Sequence, residues 1–347
     1  MRVFRYYAPE DLRLEQVPVP EPGPGELLLR VRNCATCGTD VKIYFHGHRN
    51  LKPPRVIGHE IAGEVAALGD GVEEFSIGDR VQVIAAVPCG DCRECQTGRQ
   101  NICANLTAIG YDYDGGYAEY LIVPELVLRV GGVNPMPADL AFEEAAMTEP
   151  LACVLNGQEL ARVGDGDDVV IIGAGPIGCL HARLARTRGA SRITLVERNA
   201  ERLELAASRV MPDEVVLAED GMDAVAAVRS LSDGRGADAV IVAAPTEAAH
   251  QAGFEMAANR GRISLFGSLP KDTPTISVDA NEIHYRELTI VGAANSTPAQ
   301  NAEALAMIAG GQVSVADLIT DTLPLEGLPD AIMSVRSGRG MKYVVAP

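Results

Sequence analysis

From about Leu151 the chain alternates apolar strand-like runs with helical segments, and this alternation restricts the fold more than any other feature. The runs are DDVVIIG, SRITLVE, DEVVLAE, ADAVIVAA, GRISLFG and LTIVGA; between the earlier ones lie PIGCLHARLARTRG, NAERLELAAS, GMDAVAAVRSLS and EAAHQAGFEMAAN. Strands buried on both faces read as near-continuous Val, Ile and Leu, and parallel neighbours need helical crossovers, so six such runs predict a doubly wound parallel sheet. Before Leu151 the texture differs. Gly and Pro interrupt short β-rich runs such as ELLLRVR and DRVQVIA, which predicts a compact all-β barrel or sandwich. After about Ala293 a helix, AQNAEALAMIAGG, leads to short β-like pieces ending in MKYVVAP, closer in texture to the first half. A nucleotide-type domain inserted between two segments of a discontinuous first domain is therefore expected. The length of 347 residues, 47% of them hydrophobic, is enough for two such cores.

The formal charge of −17 repels phosphate backbones and anionic membrane surfaces, so neither nucleic acid nor a membrane is an expected partner. The first residues, MRVFRYYAPEDLRLEQ, are charged and have no apolar core, and the longest apolar stretches are too short or too Gly-rich to span a bilayer. The expectation is a soluble, cytoplasmic protein. In that reducing compartment the eight cysteines meet metals more often than each other. Cys89, Cys92, Cys95 and Cys103 fall within PCGDCRECQTGRQNIC. Two disulfides and one metal ion both fit the number; the spacing and the compartment point to zinc.

GAGPIG at 173–178 follows the strand DDVVII and opens a helix. In that context Gly173 makes the turn, Gly175 lets a pyrophosphate approach the backbone, and Gly178 lets the helix pack on the strand. Pro176 and Ile177 lie between them, where helix N-terminal amides meet the phosphates. Glu197 ends the next strand, in LVERN. A carboxylate there accepts from the adenosine ribose hydroxyls and repels a 2′-phosphate, which favours NAD over NADP. Arg198 and Arg202 point the other way if they hold that phosphate; otherwise they are solvated helix-face charges.

CATCGTDVKIY, GHE and TEPLAC place Cys34, Cys37, His59, Glu60, Glu149 and Cys153 in three separate segments. A lone Cys is most often core packing and a lone His a satisfied polar side chain. Beside a nicotinamide site they acquire a pattern, because a catalytic zinc takes about three protein ligands and keeps one position open.

On CGTDV, IGHEIAGEV, GDRV, the four-cysteine lobe, GGYAEY, TEPLA, GAGPIG and the last segment, essentially the whole chain resembles the zinc-dependent medium-chain dehydrogenase/reductases. It is most similar to their sorbitol and threonine dehydrogenase branch. The resemblance implies a discontinuous GroES-like β-barrel catalytic domain over 1–150 and 294–347, carrying a structural zinc lobe at about 88–104. A Rossmann NAD-binding domain would span 151–293, with the active site in the cleft between the two. It implies a closed structural zinc on Cys89, Cys92, Cys95 and Cys103. The catalytic zinc would sit on Cys37 and His59, with Glu60 a ligand or exchangeable neighbour and Glu149 the third protein position, directly or through water. Cys153 competes with Glu149 for that place, while Cys34 and Cys179 are expected to be buried packing residues.

The reaction so implied is oxidation of a secondary alcohol of a polyol, cyclitol or sugar acid to a ketone, with hydride passing to NAD. Thr39 would pass the alcohol proton outward, unless its hydroxyl only stabilises a turn. Many relatives have His where this chain has Lys42, so the next relay step falls to Lys42, or to His46 or His48 nearby. Tyr44, Phe45, His46, Glu119, Asn295 and Ser296 fall in segments that line the cleft in relatives, suiting a substrate with several hydroxyls. L-threonine 3-dehydrogenase and aminocyclitol dehydrogenase of the 2-deoxy-scyllo-inosamine type are the alternatives. A zinc-free quinone or enoyl reductase of the same fold would lack Cys37, His59 and Glu149 together; an NAD-sensing binding protein is the non-enzymatic alternative. A homodimer or homotetramer is expected, with LTIVGA pairing across a two-fold axis.

Overall fold

The computed structural model describes residues 1–219 and 222–347, and the chain separates into two compact units, Met1–Ala152 with Asn295–Pro347, and Cys153–Ala294. Gly221, the first residue of the expected segment GMDAVAAVRSLS, lies outside the described residues; the helix there is Ala224–Ser230.

The second unit is built on a six-stranded parallel sheet. Its spatial order is Glu214–Leu217, Arg192–Glu197, Asp168–Ile172, Ala237–Val242, Ala257–Leu265, Thr289–Gly292. Numbered along the chain this is 3-2-1-4-5-6, the Rossmann order, and ligands bind at the carboxyl ends of the strands where that order reverses. The central strand Asp168–Ile172 is buried at all five positions, as a strand covered on both faces must be. All six expected runs are strands. Thr289–Gly292 stands at one edge with Ile290 37% exposed.

In the first unit, among the described residues, a seven-stranded sheet carries most of the core. Leu27–Ala35 alternates Leu29 and Val31 inward with Arg30 and Arg32 outward, the period-2 pattern of a half-buried strand. It pairs antiparallel with Glu60–Leu68 on one side; on the other it takes Tyr120–Val123 at its start and Lys342–Ala346 at its end. Leu27, Leu29, Ile57, Ile61, Val81, Val83, Tyr117 and Val345 form the fully buried centre. The unit departs from the all-β expectation in carrying helices, among them Gly38–His46, which begins directly after Cys37, and Leu328–Ser337 near the end. The CGTD glycine, threonine and aspartate thus open a helix rather than a turn between strands. Among the described residues no helix is long and apolar enough to cross a membrane.

Candidate functional site

The register of the first sheet assembles a donor group. Ala35, the last residue of its strand, faces Glu60, the first of the neighbouring one, so Cys37 just beyond one end meets His59 and Glu60 at the other. Gly58 is required at this junction: its φ is +94°, and a Cβ there would lie 2.9 Å from both the Cys34 sulfur and the Tyr117 ring. One ligand atom each from Cys37, His59 and Glu60 falls within 4.8 Å of the others. His59 and Glu60 are buried.

Charge is concentrated here. Burial alone would push the His59 imidazole down, but the Cys37 sulfur beside it and the Asp40 and Glu149 carboxylates push it well above its ordinary value. Burial pushes the Glu60 carboxyl up, opposed first by Lys342, whose Nζ lies 2.6 Å from Oε1 and 2.5 Å from Oε2. Asp40 is wholly buried. Its Oδ2 accepts from the Cys37 amide at 2.8 Å and from the Tyr117 hydroxyl at 2.8 Å, while Oδ1 faces His59 Nδ1 at 3.8 Å. Both facing atoms lack a hydrogen-bond partner among the described residues. A carboxylate behind a histidine fixes the ring and raises its basicity toward a metal. Thiolate sulfur, imidazole nitrogen and carboxylate oxygen, buried together with a carboxylate behind the ring, are a donor set that fits zinc.

Glu149, in the first turn of Thr148–Leu160, stands outside the three-donor group, yet its charge acts on His59, Glu60 and Lys342. Thr39 lies on the helix after Cys37 and is half-buried, and its hydroxyl opposes the upward push that burial gives the Tyr111 phenol. Lys42 is exposed on that helix. His46 and His48 are exposed too; the His48 ring packs edge-on against Tyr111, centroids 4.8 Å apart.

Several of the residues expected to face substrate have partners within the protein. Glu119 accepts from the Arg2 amide at 2.7 Å and from the Arg2 guanidinium at 2.9 Å. Arg336 lies 3.7 Å over the Phe45 ring, and Phe45 meets Tyr44 edge-on at 4.8 Å. Ser296 is buried and accepts from Asn301 at 3.0 Å; the Asn295 amide donates to the Asn101 carbonyl at 3.2 Å. Cys34 and Cys179 are fully buried, as packing residues are, and Cys153 is half-buried.

Cys89, Cys92, Cys95 and Cys103 form a second group. All are free thiols, with sulfur–sulfur separations of 4.0 Å (Cys89–Cys95), 3.5 Å (Cys92–Cys95), 3.7 Å (Cys92–Cys103) and 3.4 Å (Cys103–Cys89). A disulfide needs about 2.05 Å; the edge of a tetrahedron with zinc–sulfur bonds of about 2.3 Å is about 3.8 Å. The amides of Cys89 and Asn105 each donate to the Cys103 sulfur at 3.3 Å. Four sulfurs so spaced could fill a tetrahedral zinc shell.

In the second unit the Gly173–Gly178 turn sits at the carboxyl end of the central strand. Gly173 has φ +108°, and a Cβ on Gly178 would collide with the Gly173 carbonyl oxygen. Around Gly175 the space is open, its nearest neighbour being Arg202 Nη1 at 3.9 Å from a Cβ position. The helix Pro176–Thr187 has no side-chain cap at its start, leaving amides for an anion. Glu197 Oε2 accepts from the Ala174 amide at 3.0 Å; Oε1 accepts from the amides of Arg198 (2.9 Å) and Asn199 (3.1 Å). Arg202 Nε is buried without a hydrogen-bond partner among the described residues, and Arg198 is exposed. Open backbone and uncapped amides at the turn fit a dinucleotide pyrophosphate.

Asp40, Tyr111, Tyr117 and Lys342 were not singled out by the sequence. Asp40 lies inside the quoted CGTD. Lys342, a lone cation opening an apolar strand at a buried position, left a faint signal; Tyr111 and Tyr117 left none.

Residues 23–131 match the alcohol dehydrogenase GroES-like domain, and residues 176–310 the zinc-binding dehydrogenase family. A sorbitol dehydrogenase of Halalkalibacterium halodurans is 29% identical over 96% of this chain and 95% of its own length. An L-threonine 3-dehydrogenase of Bacillus subtilis is 32% identical over 96% and 94%. A Sinorhizobium meliloti protein described as a zinc-binding dehydrogenase, solved with NADP, superposes with a TM-score of 0.91 at 31% identity, covering 100% of this chain and 99% of that one. Since likeness runs through both units and the metal donors and dinucleotide turn stand assembled in them, the chain belongs to the zinc-dependent medium-chain alcohol dehydrogenases.

Proposed function

We propose that the protein oxidises a secondary alcohol of a polyol, cyclitol or sugar acid to the ketone, using NAD. The observation that carries the reading is the buried Cys37–His59–Glu60 group backed by Asp40, in a chain that also holds a dinucleotide turn. Zinc, when bound, supplies Lewis acidity that lowers the pKa of an alcohol, and NAD supplies the hydride acceptor. Cys37 and His59 would hold the metal, with Glu60 and Glu149 as the nearest carboxylates. Asp40 orients His59 and, through the Cys37 amide, the backbone of the sulfur donor. Thr39 would receive the alcohol proton at its hydroxyl and pass its own onward. Lys42, exposed on the same helix, would serve only a later relay step toward solvent.

Glu197 supports NAD, because its carboxylate, fixed by three amides, would repel a 2′-phosphate. Arg202 and the NADP-bound relative favour the opposite choice, which makes the coenzyme part of the test. For the substrate, the sorbitol dehydrogenase relative supports the polyol class, and the threonine dehydrogenase relative supports L-threonine as the second reading. The open edge strand Thr289–Gly292 supports a homodimer or a dimer of dimers.

The test is NADH or NADPH formation by purified, zinc-replete protein with sorbitol, inositols, sugar acids, aminocyclitols, threonine and simple alcohols. Turnover of a polyol or cyclitol with NAD is expected. Threonine or a simple alcohol as the sole good substrate would overturn the substrate class, and a preference for NADP would overturn the reading of Glu197.

A further inference from the structure

Lys342 is 4% exposed and Glu60 1% exposed. A lysine so deeply buried needs a reason, since an ammonium removed from water without a partner loses its charge. Sheet register supplies the placement. In the antiparallel pair of Leu27–Ala35 with Lys342–Ala346, Ala35 faces Val344, and the Thr36 amide donates to the Tyr343 carbonyl at 2.9 Å. One step further along that register brings Lys342 level with Cys37. Glu60 lies across the same strand end, facing Ala35 from the opposite side. The ammonium lies against both oxygens of Glu60, at 2.6 Å and 2.5 Å.

The buried Lys342–Glu60 ion pair already sets one cation against the donor group.

We propose that Lys342 is a built-in stand-in for the metal: it neutralises the donor group in the metal-free protein and competes with zinc for Glu60. This rests on the zinc-site reading above. The two consequences have opposite signs. A cation that neutralises buried carboxylates stabilises the empty site, because removing one partner of a buried pair strands the other. The same cation repels an incoming divalent ion and occupies Glu60, so it weakens zinc binding. A lysine with only a packing role would move both quantities the same way.

The experiment uses the full chain carrying one zinc equivalent, enough to fill the four-cysteine lobe. It measures thermal unfolding in that state and the affinity for a second equivalent by competition with a chromophoric chelator. Lys342→Met should unfold at lower temperature before the second equivalent is added, yet bind it about tenfold more tightly or better. Lys342→Arg keeps the charge and can grip Glu60 with two N–H groups, so its zinc affinity should equal the parent's or fall below it. Weaker or unchanged zinc binding by Lys342→Met, or an unchanged unfolding temperature, overturns the proposal. If Lys342→Met does not fold, tighter zinc binding by Lys342→Arg overturns it instead, and affinity at or below the parent's supports it. A parent chain that takes up no second equivalent refutes the zinc-site reading, a result distinct from the others.

Discussion

Replacing Tyr117 with Phe removes one oxygen from a fully buried ring and leaves its packing intact, so the loss is confined to what that hydroxyl bonds. Its short bond runs to Asp40 Oδ2 at 2.8 Å, and a long contact of 3.4 Å reaches the Ala35 carbonyl. Both residues are inaccessible to solvent, so water cannot replace the donor. A hydrogen bond to a charged acceptor contributes about 1.5–3 kcal/mol. At about 2–4 °C per kcal/mol for a domain of this size, Tyr117→Phe should lower the unfolding temperature of the first unit by about 3–12 °C. Asp40→Asn keeps the shape and removes the charge behind His59; loss of such an outer carboxylate typically costs about 10–100-fold in metal affinity. Because Tyr117 and Asp40 share one bond, the double variant should lose less stability than the two single losses added, by about 1 kcal/mol. Calorimetry of the zinc-loaded protein and chelator competition read the two quantities. Strict additivity, or full zinc affinity in Asp40→Asn, would refute the reasoning that Asp40 links the core to the metal group.

Three further outcomes are expected. Gly178→Ala sets a methyl against the Gly173 carbonyl oxygen, backbone against backbone, and should cost at least about 3 kcal/mol and abolish NADH binding, followed by nucleotide fluorescence. Cys103→Ser should reduce bound zinc from two equivalents to one by elemental analysis while cobalt uptake at the Cys37 group persists. Asp213 is opposed by burial but held below its usual value by Arg186 and by the Ile193 amide. Its folded value lies under the unfolded one, so its contribution is complete above about pH 4 and fades as pH falls through the lower value. Asp213→Asn should therefore flatten the acid limb of a stability–pH curve.

How much of this was legible follows from distance along the chain. The parallel sheet could be read because each strand is a contiguous apolar run and each crossover a contiguous helix. The four-cysteine lobe is equally local, with its ligands inside fifteen positions. Cys37, His59 and Glu60 were recognisable through quoted motifs, whereas Lys342 is 282 residues from the carboxylate it holds, and only register across three strands brings them together. The helix Gly38–His46 was hidden by its Gly-Thr-Asp opening, which reads as a turn; those residues equally suit a helix start, and Asp40 uses its side chain to satisfy the Cys37 amide. The residues expected to face substrate also have partners that the sequence did not announce, Arg2 at Glu119 and Arg336 over Phe45.

The strand Lys342–Ala346 lies inside the seven-stranded sheet, between Leu27–Ala35 and Ile319–Pro324. During synthesis, the segment that emerges early must wait for one more than 300 residues later before its sheet can close. At about 5–20 residues per second the wait is roughly 15–60 s, during which the end of Leu27–Ala35 offers unpaired amides and carbonyls to any passing chain. The inserted Rossmann unit, whose strands pair with partners from its own contiguous stretch, can complete itself within that interval. Newly made chains should thus acquire the capacity to bind dinucleotide before the first unit's sheet is complete. Cells that overproduce this protein should benefit most from helpers that shield strand edges.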